Sequence, residues 1–143
     1  MILNIYVKYG QIVELENNLK IGGFKVSEQF KVITLCGSTK FRKEFEEAQK
    51  HLTLLGNIVI SVGLFGHEFG LDMNGTHKKM LDKMHFRKID MSDEIFVVNP
   101  GGYVGLSTCD EIFYAFAHNK KVVWLEEPIE CLFNTCKELN LIK

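Results

Sequence analysis

Three short runs, Val32-Ile33-Thr34-Leu35, Ile95-Phe96-Val97-Val98 and Val122-Val123-Trp124-Leu125, constrain this chain more than any other feature. They are rich in β-branched residues and do not alternate apolar with polar. A strand with one wet face alternates, whereas a strand apolar throughout has both faces covered. Ile58-Val59-Ile60 is a fourth run of the same kind. Amphipathic segments separate them. Phe41, Phe45, Ala48, Leu52 and Leu55 recur at helical spacing, and Gly56 is a natural stop. Thr76 offers a cap for a helix running to about Ser92. Ser107 or Thr108 opens a third helix with Ile112, Ala115 and Phe116 inward. Pro128 starts a last one that ends near Leu139.

Strands alternating with helices, and covered on both faces, predict an α/β fold with a doubly wound parallel sheet of four to five strands, Rossmann- or flavodoxin-like. A chain of 143 residues suits one such domain. The first thirty residues differ in pattern. Residues 2–7 alternate loosely, Tyr9-Gly10 offers a turn, and residues 12–15 return as a second short strand. The chain therefore divides into an N-terminal β extension, 1–30, and the α/β domain, 31–143.

Composition removes several classes of partner. A net charge of −1 argues against duplex nucleic acid or an anionic membrane as a bulk electrostatic partner. No apolar run reaches the roughly 20 residues of a membrane span, and the N-terminus lacks a signal-peptide pattern. The four cysteines, Cys36, Cys109, Cys131 and Cys136, form no CxxC pair, and the five histidines form no HxH or HxxxH pattern. The expectation is a cytoplasmic protein with reduced thiols, no metal and no cofactor.

In a doubly wound sheet, ligands bind beyond the carboxyl ends of the strands. Three segments meet there. Gly37-Ser38-Thr39 joins a strand to a helix start, where glycine admits a ligand to the backbone and free N–H groups favour an anion. The alternative is a plain turn in which Ser38 caps the helix. The loop spanning residues 63–75, with His67, Glu68 and Asp72, is long enough for a binding loop. Gly101, Gly102 and Tyr103 shape the third segment, which runs on to the hydroxyls of Ser107 and Thr108. It is either a cradle for sugar and phosphate or a generous connection.

Glu111 is the strongest candidate for chemistry, because it shares a helical stripe with Thr108 and Ala115. Thr108 and Glu111 also have capping-box spacing, as do Ser107 and Asp110, so capping and catalysis both remain open for Glu111. His85 shares a stripe with Leu81 and Ile89. It is either a buried, satisfied histidine or a group at the cleft rim. Lys88, Asp90 and Asp93 follow it, and Asp93 reads as a turn or cap residue before a strand.

The order of these motifs resembles the nucleoside 2-deoxyribosyltransferase superfamily, and within it the 2′-deoxynucleoside 5′-monophosphate N-glycosidases. The similarity rests on Leu35-Cys36-Gly37-Ser38 after a strand, Ser92-Asp93 before one, Glu111 followed by Tyr114-Ala115, and a strand led by Lys121. It covers roughly residues 31–127. The resemblance implies cleavage or transfer at the N-glycosidic bond of a nucleoside or nucleoside 5′-monophosphate, with Glu111 as nucleophile. It gives sugar and phosphate contacts to Gly37, Ser38, Ser107 and Thr108. His85 stands where the family has an acid on the second helix, Phe113 replaces a glycine, and Gly105 replaces a serine or aspartate. The resemblance also implies a homo-oligomer, dimer or larger, with which apolar Phe65, Phe69 and Leu71 are consistent. The competing reading is a non-catalytic nucleotide-binding sensor, which His85 and Phe113 favour.

Overall fold

The computed structural model describes residues 30–63, 65 and 75–128. The expected N-terminal β extension, most of the 63–75 loop and the expected final helix lie outside the described residues. What is described is a four-stranded, all-parallel sheet with helices on both faces. The strands are β1 (Val32–Gly37), β2 (Ile58–Ile60), β3 (Glu94–Val98) and β4 (Lys121–Trp124), in the order β2-β1-β3-β4. The helices are α1 (Arg42–Leu54), α2 (Thr76–Asp90) and α3 (Leu106–Ala117). This is the doubly wound arrangement predicted from the apolar runs, with the order that defines a switch point between β1 and β3.

Strict alternation along each strand divides the core in two. Ile33 and Leu35 of β1, Phe96 and Val98 of β3, and Val123 face Phe45, Ala48 and Leu52 of α1. Cys36, Ile95, Val97, Val122 and Trp124 face the other way, onto Ile89 of α2 and Ile112 and Ala115 of α3. One inward position differs from expectation. Leu55 is 39% exposed, because α1 has ended and Gly56 takes a φ of 85°. The backbone N–H of Leu55 donates to His51 O, which closes the helix.

Helix starts also differ from the capping expectations. A 3-10 turn, Thr39–Phe41, precedes α1, and Ser38 makes no side-chain cap bond. Gly75 is the N-cap of α2, so Thr76 is its first residue. Gly105 is the N-cap of α3, and no acid lies in that helix's first turn. Glu111 therefore sits in the second turn, and neither capping box forms.

The C-terminus of α2 is tied down by polar groups. Ser92 Oγ donates to the Lys88 carbonyl at 2.8 Å, and the Thr34 and Ser92 hydroxyls lie 2.5 Å apart in the interior. Lys120 Nζ donates to the carbonyls of Asp90 and Ser92. These contacts satisfy carbonyls that the helix end leaves without partners. Asp93 accepts a 2.7 Å hydrogen bond from the Val32 N–H, and its own N–H donates to Val32 O. It fastens the start of β1 beside β3, a cross-strand tie rather than the turn or cap expected of it. Among the described residues, no helix is long and apolar enough to cross a membrane.

Candidate active site

The switch point opens into a cleft of about 460 Å³ at the carboxyl ends of β1 and β3. Gly37, Ser38 and Thr39 form one wall and Gly105 to Thr108 another, with α2 along the side through Lys78, Asp82, His85 and Lys88. A cleft of this size holds a nucleotide-sized molecule. Two helical N-termini open onto it, the 3-10 turn before α1 and the start of α3, with N–H groups that suit an anion.

Gly37 is where β1 must turn into the cleft. It has φ +150°, and a Cβ there would lie 2.6 Å from Val98 O and 3.2 Å from Val98 Cβ. Only glycine lets β1 and β3 run this close at the point where the wall begins.

Three elements deliver the floor. Cys36 is the last residue of β1 before Gly37 and points to the α2 and α3 side, fully buried. His85 lies one turn before Ile89 on the buried stripe of α2 and is 8% exposed. Glu111 follows Thr108 on α3, and its side chain is 16% exposed. Cys36 Sγ and His85 Nε2 share a hydrogen bond at 3.4 Å, and His85 Nε2 lies 3.6 Å from Glu111 Oε2. Glu111 Oε2 is buried without a hydrogen-bond partner.

Burial governs the protonation of this trio. It pushes the Glu111 carboxyl up to about 8; hydrogen bonds from the Cys36 thiol and the Gly37 N–H oppose the rise, while the charges of Asp82 and Asp110 add to it. Burial lowers His85 to about 4, with the Lys88 charge adding to the drop and Asp82 opposing it. Burial, followed by the proximity of Glu111, raises the Cys36 thiol well above its ordinary value. At neutral pH the floor therefore holds a protonated carboxyl, a neutral imidazole and a thiol. The 3.6 Å contact is a polar contact between neutral groups rather than an ion pair.

Lys88 lines the cleft along α2, and its charge acts on His85. Its Nζ donates to Ser61 O at 2.9 Å, and burial lowers its pKa. Lys78 pairs with Asp82 at 2.7 Å. At the rim, Tyr103 is 43% exposed, with Lys40 Nζ 3.4 Å from its ring centroid and Phe41 edge-on to it at 5.7 Å.

The structure thus brings Gly37, Ser38, Thr39, His85, Tyr103, Ser107, Thr108 and Glu111 to one cleft. Gly101 and Gly102 do not line it. They belong to a 3-10 turn, Pro100–Gly102, that is fastened to the segment following β4: Gly101 N–H donates to Glu126 Oε2, and Asn99 exchanges hydrogen bonds with the Glu126 backbone. Lys78 and Asp82 are additions to the cleft, and Cys36 lies sealed beneath its floor. Cys36 was legible from strand alternation, since it is two residues from Thr34 on the same face and next to the loop. An acid on α2 does reach the cleft, but it is Asp82, one turn before His85. Of the loop residues, His67, Glu68 and Asp72 lie outside the described residues. So do Phe69 and Leu71, whereas Phe65 packs edge-on against Phe45 of its own chain.

A scan against protein-family models and searches of curated proteins and of solved structures find no match to this chain. Its function is read from the cleft itself.

Proposed function

We propose that this protein cleaves the N-glycosidic bond of a nucleoside 5′-monophosphate, or transfers its sugar, with Glu111 as the nucleophile. One observation carries the reading. Glu111 Oε2 is a buried acceptor with no hydrogen-bond partner, at the floor of a nucleotide-sized cleft onto which two helical N-termini open. Leaving such an oxygen unsatisfied costs about 1–3 kcal/mol, which an arriving ligand recovers. The motif order shared with the nucleoside 2-deoxyribosyltransferases supports the same assignment.

In this reading the sugar lies over Glu111. The C1′–N bond breaks with its electron pair going to the base, which takes up a proton from solvent. Positive charge develops at C1′ and favours the carboxylate form of Glu111, whose proton leaves through the cleft to solvent, with His85 Nε2 3.6 Å away to steady the carboxylate. Oε2 bonds to C1′, and water or an acceptor base then displaces it and restores the carboxyl. Ser38, Thr39, Ser107 and the N–H groups beside them hold the phosphate, with Lys88 as the counter-charge. Tyr103 offers its ring to the base. The resemblance adds a homo-oligomer in the cytoplasm, and the exposed Leu106 and Met84 at the cleft rim suit a covered surface.

The second reading, a nucleotide sensor without turnover, draws on one observation: Cys36 and His85 crowd a carboxyl that burial keeps protonated at neutral pH. Chromatography of free base decides between them. Ribo- and deoxyribonucleosides and their monophosphates are incubated with and without an acceptor base, beside Glu111→Gln. Release by wild type and not by the variant supports the nucleophile. Nucleotide binding equal in both proteins, with no base released from any substrate, overturns the enzyme.

A further inference from the structure

Cys36, His85 and Glu111 come from three different elements, yet their Sγ, Nε2 and carboxylate oxygen all lie within 4.8 Å of one another. Zinc binds sulfur at about 2.3 Å, imidazole nitrogen at about 2.0–2.1 Å and carboxylate oxygen at about 2.0–2.2 Å. Tetrahedral angles at those lengths put neighbouring ligand atoms about 3.3–3.6 Å apart. The separations here are 3.4 Å from Cys36 Sγ to His85 Nε2 and 3.6 Å from His85 Nε2 to Glu111 Oε2. Two edges of the tetrahedron are already drawn.

We propose that Cys36, His85 and Glu111 form a three-ligand site for a thiophilic divalent cation, zinc being the best fit, with its fourth position open to the cleft. The donor set selects the metal. One sulfur, one imidazole and one carboxylate suit zinc, whereas calcium and magnesium take oxygen ligands almost alone. Charge matches too, since a thiolate and a carboxylate offset a dication in a buried place. Binding displaces the thiol proton of Cys36 and any proton on Glu111 to solvent. The unpartnered Glu111 Oε2 acquires a partner in the same step. Cys36 is sealed beneath the floor, but His85 and Glu111 line the cleft, so the ion arrives from that side.

The site stands whether or not the chain cleaves nucleotides. If it does, the ion occupies the oxygen that must attack C1′, and cation and sugar exclude one another. Metal occupancy then switches the cleft off.

Cobalt(II) is the probe, since it reports a thiolate ligand by a near-ultraviolet charge-transfer band and tetrahedral coordination by intense visible bands. The full-length protein, stripped with chelator, is titrated with cobalt and then with zinc. The expected result is one cobalt per chain with both signatures, displaced by zinc. Cys36→Ser is expected to lose the charge-transfer band, and His85→Gln to weaken binding by at least about tenfold. Circular dichroism confirms that each variant is folded. Absence of the thiolate band in wild type, or its persistence in folded Cys36→Ser, overturns the proposal. Base release is read separately in excess chelator. Release without cobalt binding sinks the metal site alone, and cobalt binding without release from any substrate sinks the reaction alone.

Discussion

His85 on α2 and Glu111 on α3 meet across the cleft floor with Nε2 3.6 Å from Oε2, and burial moves their acidities in opposite directions. The consequence is a distinctive stability profile for the metal-free protein. Glu111 is raised from 4.5 to about 8, so between those values the native state holds a proton that the unfolded chain has lost, and stability falls as pH rises. His85 is lowered from 6.5 to about 4, so in that window the unfolded chain holds the extra proton and stability rises with pH. The two slopes oppose each other below about pH 6.5, and Glu111 acts alone above it. Urea unfolding in chelator is expected to show a near-level region followed by a loss of about 1–2 kcal/mol between pH 6.5 and 8. Glu111→Gln removes that loss. A wild-type profile that rises through this window refutes the assignment.

The same substitution tests the chemistry. Glu111→Gln keeps the shape of the protonated acid but cannot form the glycosyl ester. Base release is expected to fall at least about 10³-fold, while nucleotide binding changes by no more than a few-fold. Quench-flow detection of a covalent sugar adduct in wild type, and none in the variant, provides the check.

Lys88 is the residue expected to read the phosphate. A charge-assisted hydrogen bond contributes about 1.5–3 kcal/mol. Lys88→Met is therefore expected to raise KM for a 5′-monophosphate by about 10–100-fold and to leave the unphosphorylated nucleoside nearly unaffected. Equal losses for both substrates assign Lys88 to the fold, through its bond to Ser61 O.

Gly37 tests the wall of the cleft. An alanine there combines φ +150° with a Cβ 2.6 Å from Val98 O. Separating β1 from β3 disturbs the sheet centre, and the expected loss is about 2–4 kcal/mol. Gly101→Ala is the control. Its Cβ meets nothing within 4 Å, so the cost is confined to φ +64°, about 1 kcal/mol.

The sheet was legible because its strands are apolar throughout, and only a doubly covered position rewards that pattern. The edge strand Ile58–Ile60 shares the apolar pattern without the double cover, since none of its residues is buried and Ile58 is half exposed. Helix starts were not, because serine and threonine near a helix suggest capping whether or not their side chains bond. Gly75 and Gly105 cap α2 and α3 through backbone shape instead. At the site, Glu111 and His85 follow from helical stripes. Their contact with Cys36 does not, since pairing β1 beside β3 is a tertiary event with no local trace. Gly101 and Gly102 misled as cleft residues because a glycine-rich turn reads the same in sequence whether it faces a ligand or the Glu126 backbone.

A floor built from the end of β1, the buried stripe of α2 and the second turn of α3 exists only when both crossovers have docked. No single strand–helix unit carries it, and unfolding of β1, α2 or α3 abolishes it. Whatever binds there is coupled to the whole fold, and stabilises it by RT ln(1 + [L]/Kd). An unknown ligand of this protein is therefore discoverable without an assay for its chemistry, as the compound that delays melting increasingly as its concentration rises above Kd.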